Sequence, residues 1–233
     1  MKIEEVERIA RNLLEVNQRI AEAAGQTNRQ PTEITLVTVS KTFPIEIVKS
    51  AVAAGAKILG ESRVQEGSEK VIELGDIASW HLIGHLQTNK AAQAVLYFDM
   101  IQSIDSLHLA DKISQAAVKV NKKIDCLLEI NSSGEETKYG FSPDDLIDAA
   151  ERIEPLPGIN MKGLMTIGPW TNDASEIQKA FEITHKLYEM MKTKIGSHID
   201  TLSMGMSSDY ELAIHCGSNM VRVGSAIFGE RAS

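Results

Sequence analysis

Lys41 carries the most reactive chemistry that this sequence offers. It follows the apolar run Leu36-Val37-Thr38-Val39-Ser40 and precedes Thr42-Phe43-Pro44. The pattern predicts a short buried strand with an amine at its C-terminal mouth. An amine held in such a place sheds part of its hydration, and desolvation favours the neutral, nucleophilic form. A neutral lysine condenses with carbonyl compounds to give a Schiff base. Lone lysines in loops are usually solvated surface charges, so the assignment needs support from elsewhere in the chain.

Two segments near the far end supply it. Leu202-Ser203-Met204-Gly205-Met206-Ser207 and Val221-Arg222-Val223-Gly224-Ser225 each set glycine and hydroxyl groups at the end of an apolar run. Gly205 and Gly224 let backbone approach an anion closely. Ser203, Ser207 and Ser225 offer hydroxyl donors. Ser225-Ala226-Ile227-Phe228 can open a short helix whose free N–H groups face an anion. A Schiff-base lysine with a phosphate cradle suits a phosphorylated aldehyde such as pyridoxal phosphate. Arg222 shares a strand face with Met220 and Gly224, and an arginine in an apolar strand must be exposed or paired. Facing the mouth, it would donate to an anion or to a ring nitrogen. Arginine accepts no hydrogen bond, so a pyridine nitrogen beside it stays unprotonated and the ring is a weaker electron sink.

Other candidates read as structural. His81 and His85 lie four apart, but Gly84 intervenes in a strand-like segment, so helical metal spacing fails and no third zinc ligand is evident. His85 is placed near the pocket or in a loop. Asp144 and Asp145 suit a helix start. Met204 and Met206 read as pocket wall or core. Cys126 sits in an apolar run as a core thiol, and Cys216 precedes Gly217 at a helix end. Two cysteines without disulfide or metal spacing point to a reducing compartment.

The elements that must position these groups alternate regularly. Ile3, Val6, Ile9, Leu13, Val16 and Ile20 mark a first helix over 3–24, with Gly25 as its stop. Strands are predicted at Thr35–Val39, Ala56–Leu59, Trp80–Gly84, Met100–Ile104, Asp125–Ile130, Asn160–Ile167, His198–Met204 and Asn219–Val223. Helices are predicted between them at Pro44–Ala54, Ser62–Leu74, Thr88–Phe98, Ser106–Asn121, Pro143–Ile153, Ala174–Lys194 and Ser208–Cys216. Eight apolar strands joined by helices call for a parallel sheet, and the count favours an α/β fold closed as a (β/α)8 TIM barrel over an open sheet. Without a Pro/Gly/Ser-rich linker, residues 1–233 read as a single barrel domain with an extra N-terminal helix. In such barrels the chemistry sits at the C-terminal ends of the strands, which is where Lys41 and both Gly/Ser segments fall.

Composition narrows the function classes. With 24 basic and 32 acidic residues the net charge is −8, which argues against nucleic-acid binding. No run has the length of a membrane span, and the charged, amphipathic N-terminus is neither a signal nor a transit peptide. A cytoplasmic protein is expected.

The stretches Val39-Ser40-Lys41-Thr42, Gly60-Glu61, Val64-Gln65-Glu66, Trp80-His81-Leu82-Ile83-Gly84-His85-Leu86-Gln87-Thr88-Asn89-Lys90, Lys162-Gly163-Leu164-Met165, Leu202 to Ser207 and Val221 to Gly229 resemble the YggS/PROSC family of pyridoxal phosphate homeostasis proteins. The resemblance runs from the first strand to the last. It implies a barrel similar to the N-terminal domain of alanine racemase, with pyridoxal 5′-phosphate held as a Schiff base on Lys41. It further implies that Ser203, Gly224 and Ser225 hold the phosphate, beside the Gly205 already read as a candidate, and that Arg222 faces the pyridine nitrogen. One departure falls in the site: the family usually reads Gly-Glu-Asn after the second strand, and here the third residue is Ser62. Serine is shorter and cannot make the same pair of bonds. A lesser departure is Glu129-Ile130-Asn131, where Gln/Val-Val-Asn is common.

The family role implied is cofactor homeostasis or carriage, affecting amino-acid and keto-acid balance without catalytic turnover. A small-molecule cofactor and apo pyridoxal-phosphate enzymes are the expected partners of a monomer. The alternatives are a pyridoxal-phosphate amino-acid racemase and a cofactor-free Schiff-base aldolase. A racemase needs a second base, a tyrosine from another domain in the racemase relatives, and only Tyr139 and Tyr210 fall near mouth loops.

Overall fold

A computed structural model describes residues 3–135 and 138–230. Eight strands close into a parallel barrel in sequence order: β1 Thr35–Val39, β2 Ile58–Glu61, β3 Ser79–Leu82, β4 Met100–Ile104, β5 Ile124–Glu129, β6 Ile159–Met165, β7 Thr201–Ser203 and β8 Met220–Val223. The seam pairs β8 with β1, setting Val37 opposite Arg222 and Thr38 opposite Val223. Helices α1 Ile3–Gln26, α2 Ile45–Ala53, α3 Val64–Leu74, α4 Ala91–Tyr97, α5 Leu107–Lys119, α6 Leu146–Ile153, α7 Ala174–Lys194, α8 Tyr210–His215 and α9 Ser225–Phe228 surround it. The expected TIM barrel and its N-terminal helix are both present.

Helix α1 buries Ile9, Leu13, Val16, Ile20, Ala23 and Ala24 against the outer core. It packs on α8, α9 and α2. Two of its side chains hold α9: Arg8 donates to Phe228 O at 2.8 Å and Asn12 to Ile227 O at 2.9 Å. Gly25 does not end α1, which continues to Gln26. The left-handed turn falls instead on Asn28, at φ 57°. The Arg29 N–H closes back on Ala24 O at 3.0 Å, and its guanidinium donates to the Ile214 and Ser218 carbonyls.

Side-chain alternation splits the apolar residues into two layers. The larger core lies between barrel and helices. Inside the barrel, Val37, Met100, Leu127, Met165 and Met220 form a floor, with Ile58 and Ile83 against it. Above that floor the inward positions turn polar: His81, Gln102, Glu129, Ser203 and Arg222, all buried.

Several elements are shorter than their sequence pattern suggests. β7 is three residues, Thr201–Ser203, rather than 198–204. β6 stops at Met165 because Ile167-Gly168-Pro169 leads out of the sheet and proline has no N–H to continue a ladder. The helix expected from Pro143 starts at Leu146, with the Ser142 and Asp145 side chains bonded to each other at 2.5 Å ahead of it.

Candidate functional site

A cavity of about 370 Å³ opens at the C-terminal end of the barrel, within the size range of small-molecule sites. Lys41 enters it from the β1 end, following Val37 and Val39 on the inward face. Ser62 borders it after β2, and Ile83 and Gly84 after β3. Ile167 and Met206 add apolar walls, and Ser207, Ser208, Arg222, Gly224 and Ser225 complete the far side. The structure thus gathers Lys41, Ser62, Arg222, Gly224 and Ser225, which are far apart in sequence, around one space.

The β8 side is tightly built. A Cβ on Gly224 would lie 3.2 Å from both the carbonyl oxygen and the Cβ of Val39, so a larger residue would push this turn away from the strand that carries Lys41. Ser207 ties the two Gly/Ser loops together: its Oγ accepts from the N–H groups of Gly224 at 3.1 Å and Ala226 at 3.3 Å. Met206 N–H donates to Asp209 Oδ1 at 2.6 Å. Burial holds the Asp209 carboxyl above its ordinary range, opposed by that bond and by Arg222.

Ser203 and Gly205 lie elsewhere than at the cavity wall. Ser203 is the last residue of β7, yet it pairs with Met220 at the start of β8 and so lies fully buried inside the barrel, beneath Arg222. Its Oγ accepts from Arg222 Nη1 at 2.7 Å and donates to Gln102 Oε1 at 2.7 Å. Gln102 in turn meets His81 Nδ1 at 3.0 Å. Gly205 is buried at φ 98°, and its carbonyl accepts the Arg222 N–H at 3.0 Å. Both residues therefore support Arg222 from below.

Arg222 also donates through Nη2 to the Thr166 carbonyl at 2.8 Å. Burial pulls its guanidinium down to about 10, against the attraction of Glu129 and Asp209. It still carries a proton at neutral pH and can only donate. Burial likewise pushes the Glu129 carboxyl up to about 7, reinforced by Asp105 and opposed by Arg222. His81, buried, falls to about 4 and is neutral. Gln102 and Glu129 are not marked as site residues by any sequence motif; their signal is a polar residue at an inward position of an otherwise apolar strand.

The remaining candidates divide clearly. His85 Nδ1 sits 2.8 Å from Asp105 Oδ2, and its ring stacks on Tyr139 at 3.7 Å. Tyr210 is buried outside the barrel, with the Arg19 guanidinium 5.6 Å from its ring centre. Lys138 donates to Gly168 O at 2.8 Å and pairs with Glu135 at 2.8 Å. Met204 is core and Met206 is cavity wall. Cys126 is buried and Cys216 half-buried, both as free thiols. Among the described residues, no group of three or more His, Cys, Asp or Glu side chains could hold a metal ion. No helix among them is long and apolar enough to cross a membrane.

An amine, hydroxyl-bearing turns and a donor-only guanidinium around an apolar-walled mouth define a barrel suited to a phosphorylated aldehyde. Residues 7–232 match the family described as alanine racemase, N-terminal domain, and the chain belongs to that family. Within it, the chain is 39% identical over 227 residues to the pyridoxal phosphate homeostasis protein of Pasteurella multocida, covering 96% of this chain and 97% of that protein. It is 38% identical over 230 residues to the protein of the same name from Escherichia coli, covering 96% and 97%. Solved structures of PipY from Synechococcus elongatus are 35% identical and cover 90% of this chain and all of theirs, with TM-scores of 0.81 without and 0.78 with bound pyridoxal phosphate. The resemblance read from the sequence motifs holds over nearly the whole chain.

Proposed function

We propose that this protein binds pyridoxal 5′-phosphate at the barrel mouth, on Lys41, and holds it for cofactor homeostasis. The observation that carries the reading is the single cavity that joins Lys41 to Arg222 and the Gly224-Ser225 turn. The residues fit the group. Lys41 would hold the group through its amine, which can condense with an aldehyde and release one water. Ser225 and the turn at Gly224, braced by Ser207, hold the phosphate. Ile83, Ile167 and Met206 would wall the ring, and the remaining donors of Arg222 would face its pyridine nitrogen. Bound there, the cofactor supplies a reactive aldehyde and a ring that Arg222 keeps a poor electron sink.

The same geometry favours carriage over turnover. Racemisation needs an acid–base group on each face of the cofactor. Of the two tyrosines expected near mouth loops, Tyr139 is stacked on His85 and Tyr210 lies behind the barrel wall. Close relatives named pyridoxal phosphate homeostasis proteins support this reading over a racemase. Apo pyridoxal-phosphate enzymes are the natural recipients, in a reducing, cytoplasmic setting.

The test is an absorbance spectrum before and after borohydride reduction, with mass spectrometry to locate the label. Reduction is expected to fix the cofactor on Lys41, and Lys41→Ala to remove the visible band. Labelling mainly on Lys90 or Lys138 overturns the assignment. Ser225→Asp should weaken pyridoxal phosphate far more than pyridoxal, since like charges then meet at the anion site. A racemase rate on the order of 1 s⁻¹, abolished by Lys41→Ala, would favour the enzyme instead.

A further inference from the structure

Behind the barrel wall, on the side away from the cavity, charged side chains grip the backbone on both sides of Lys41. Lys70 of α3 has a side chain only 5% exposed. Its ammonium donates to Glu61 Oε1 at 2.8 Å, to Glu66 Oε1 at 2.8 Å and to the carbonyl of Ser40 at 2.7 Å. Three donors meet three acceptors, which saturates the group. The Ser40 hydroxyl also donates to Glu61 Oε1, at 2.6 Å. On the other side of Lys41, the Thr42 N–H donates to Glu66 Oε1 at 2.5 Å. Thr42 adopts φ 70°. A β-branched residue in the left-handed region is strained and persists only where its surroundings hold it.

Helix α3 comes close enough to do this because of Gly67. A Cβ there would lie 2.4 Å from the Phe98 ring and 3.1 Å from Glu61 Cβ. The arrangement is a poor way to gain stability. A buried ion pair roughly breaks even against a well-packed apolar pair. Here, moreover, Glu61 Oε2 is buried without a hydrogen-bond partner among the described residues. What the cluster does hold is the peptide before Lys41 and the peptide after it.

We propose that Lys70, with Glu61 and Glu66, is a positioning clamp that aims the Lys41 amine into the cavity and so sets how tightly an aldehyde ligand is retained. These side chains act through the Lys41 backbone and touch no ligand. The proposal rests on the assignment of Lys41 as the carbonyl-binding amine. A displaced nucleophile loses rate and equilibrium steeply, with shifts of about 1 Å worth up to ~100-fold. Contacts to the ring and phosphate come from other elements and should be indifferent to the clamp.

The experiment compares two probes that share ring and phosphate. Pyridoxal 5′-phosphate carries the aldehyde, whereas pyridoxine 5′-phosphate carries an alcohol and cannot condense with an amine. Lys70→Met is expected to release pyridoxal 5′-phosphate about tenfold faster or more, while pyridoxine 5′-phosphate affinity stays within about twofold. Should Lys70→Met fold poorly, the half-exposed rim of the clamp gives a second route. Glu66→Ala should show the same split, and Glu66→Gln, whose amide oxygen still accepts from Thr42, should restore retention. In a Lys41→Ala background, Glu66→Ala should alter neither ligand. Equal losses for both probes, or no loss for either, overturn the clamp. Failure of the Lys41 reading looks different: Lys41→Ala alone would then keep the visible band and retain pyridoxal 5′-phosphate like wild type.

Discussion

Lys70 and Arg222 are both buried cations at the same end of the barrel, one outside its wall and one inside. Lys70 meets two carboxylates and a carbonyl, and its donors are used up. Among the described residues, the Arg222 side chain bonds only neutral partners, the Ser203 hydroxyl and the Thr166 carbonyl. Its carboxylate neighbours Glu129 and Asp209 act on it through space. With five N–H donors and two of these bonds, its guanidinium has capacity left for whatever enters the cavity it borders. The closed cluster fixes backbone, and the open one keeps donors for a ligand.

The largest effect should separate the two by stability. Lys70→Met strands Glu61 in a buried site, and breaking such a pair costs about 3–5 kcal/mol. Arg222→Met takes charged donors from a hydroxyl and a carbonyl, a cost of about 1.5–3 kcal/mol, and Glu129 and Asp209 lose only a through-space attraction. Urea denaturation of both variants measures the gap. Equal losses would mean that Arg222 is as structurally committed as Lys70, and the distinction between the clusters would fail.

Much of this arrangement is legible in the sequence. Strand–helix alternation and the count of apolar segments led to the barrel, since a parallel sheet closed by helices satisfies that pattern. Lys41, Arg222 and the Gly224-Ser225 turn were legible because each is a polar or glycine residue placed where an apolar strand ends. Ser203 lies deeper than its place at a strand end suggests: β7 pairs it with Met220, the first residue of β8, and no composition signal shows that stagger. Lys70 was invisible for a different reason. Pairing at i, i+4 with Glu66 is the ordinary mark of a solvated helix face, and only the close approach permitted by Gly67 buries it.

A smaller effect tests whether the open cluster titrates. In the fold Glu129 keeps its proton up to about pH 7, whereas in the unfolded chain it loses it near the ordinary carboxylate value. Between those limits the folded state binds more protons, so this group's contribution falls as pH rises and is constant above about 7. Its size is at most about 3 kcal/mol. His81 runs the other way. It stays neutral in the fold down to about 4 and charges earlier when unfolded, so its contribution is lost as pH falls below its ordinary value. The two slopes oppose each other in mildly acidic solution, and the wild type should be nearly flat there. Glu129→Gln should unmask the His81 slope, with stability rising as pH climbs from about 4 to 6.5, and should exceed wild-type stability at pH 8. Chemical denaturation across pH reads this, and an unchanged profile would show that Glu129 is paired more firmly than Arg222's distant attraction implies.

The smallest expected change concerns Ser62, which borders the cavity where the family usually places asparagine. Its backbone is fixed: a Cβ on Gly84 would lie 2.4 Å from the Ser62 carbonyl oxygen, so the two strand ends are already in contact. A longer side chain at 62 must therefore extend into the cavity rather than shift the chain. Ser62→Asn adds one amide donor pair and one acceptor at the ring's edge. A single such bond is worth about 1 kcal/mol, or roughly fivefold in affinity. Because the bond would go to ring or substituent and not through Lys41, pyridoxal 5′-phosphate and pyridoxine 5′-phosphate should gain alike, while folding stability moves by less than about 0.5 kcal/mol. Titration of both ligands against the variant checks this. A gain confined to the aldehyde ligand would place position 62 with the clamp that aims Lys41, and would move part of the closed cluster's task to the inner side of the wall.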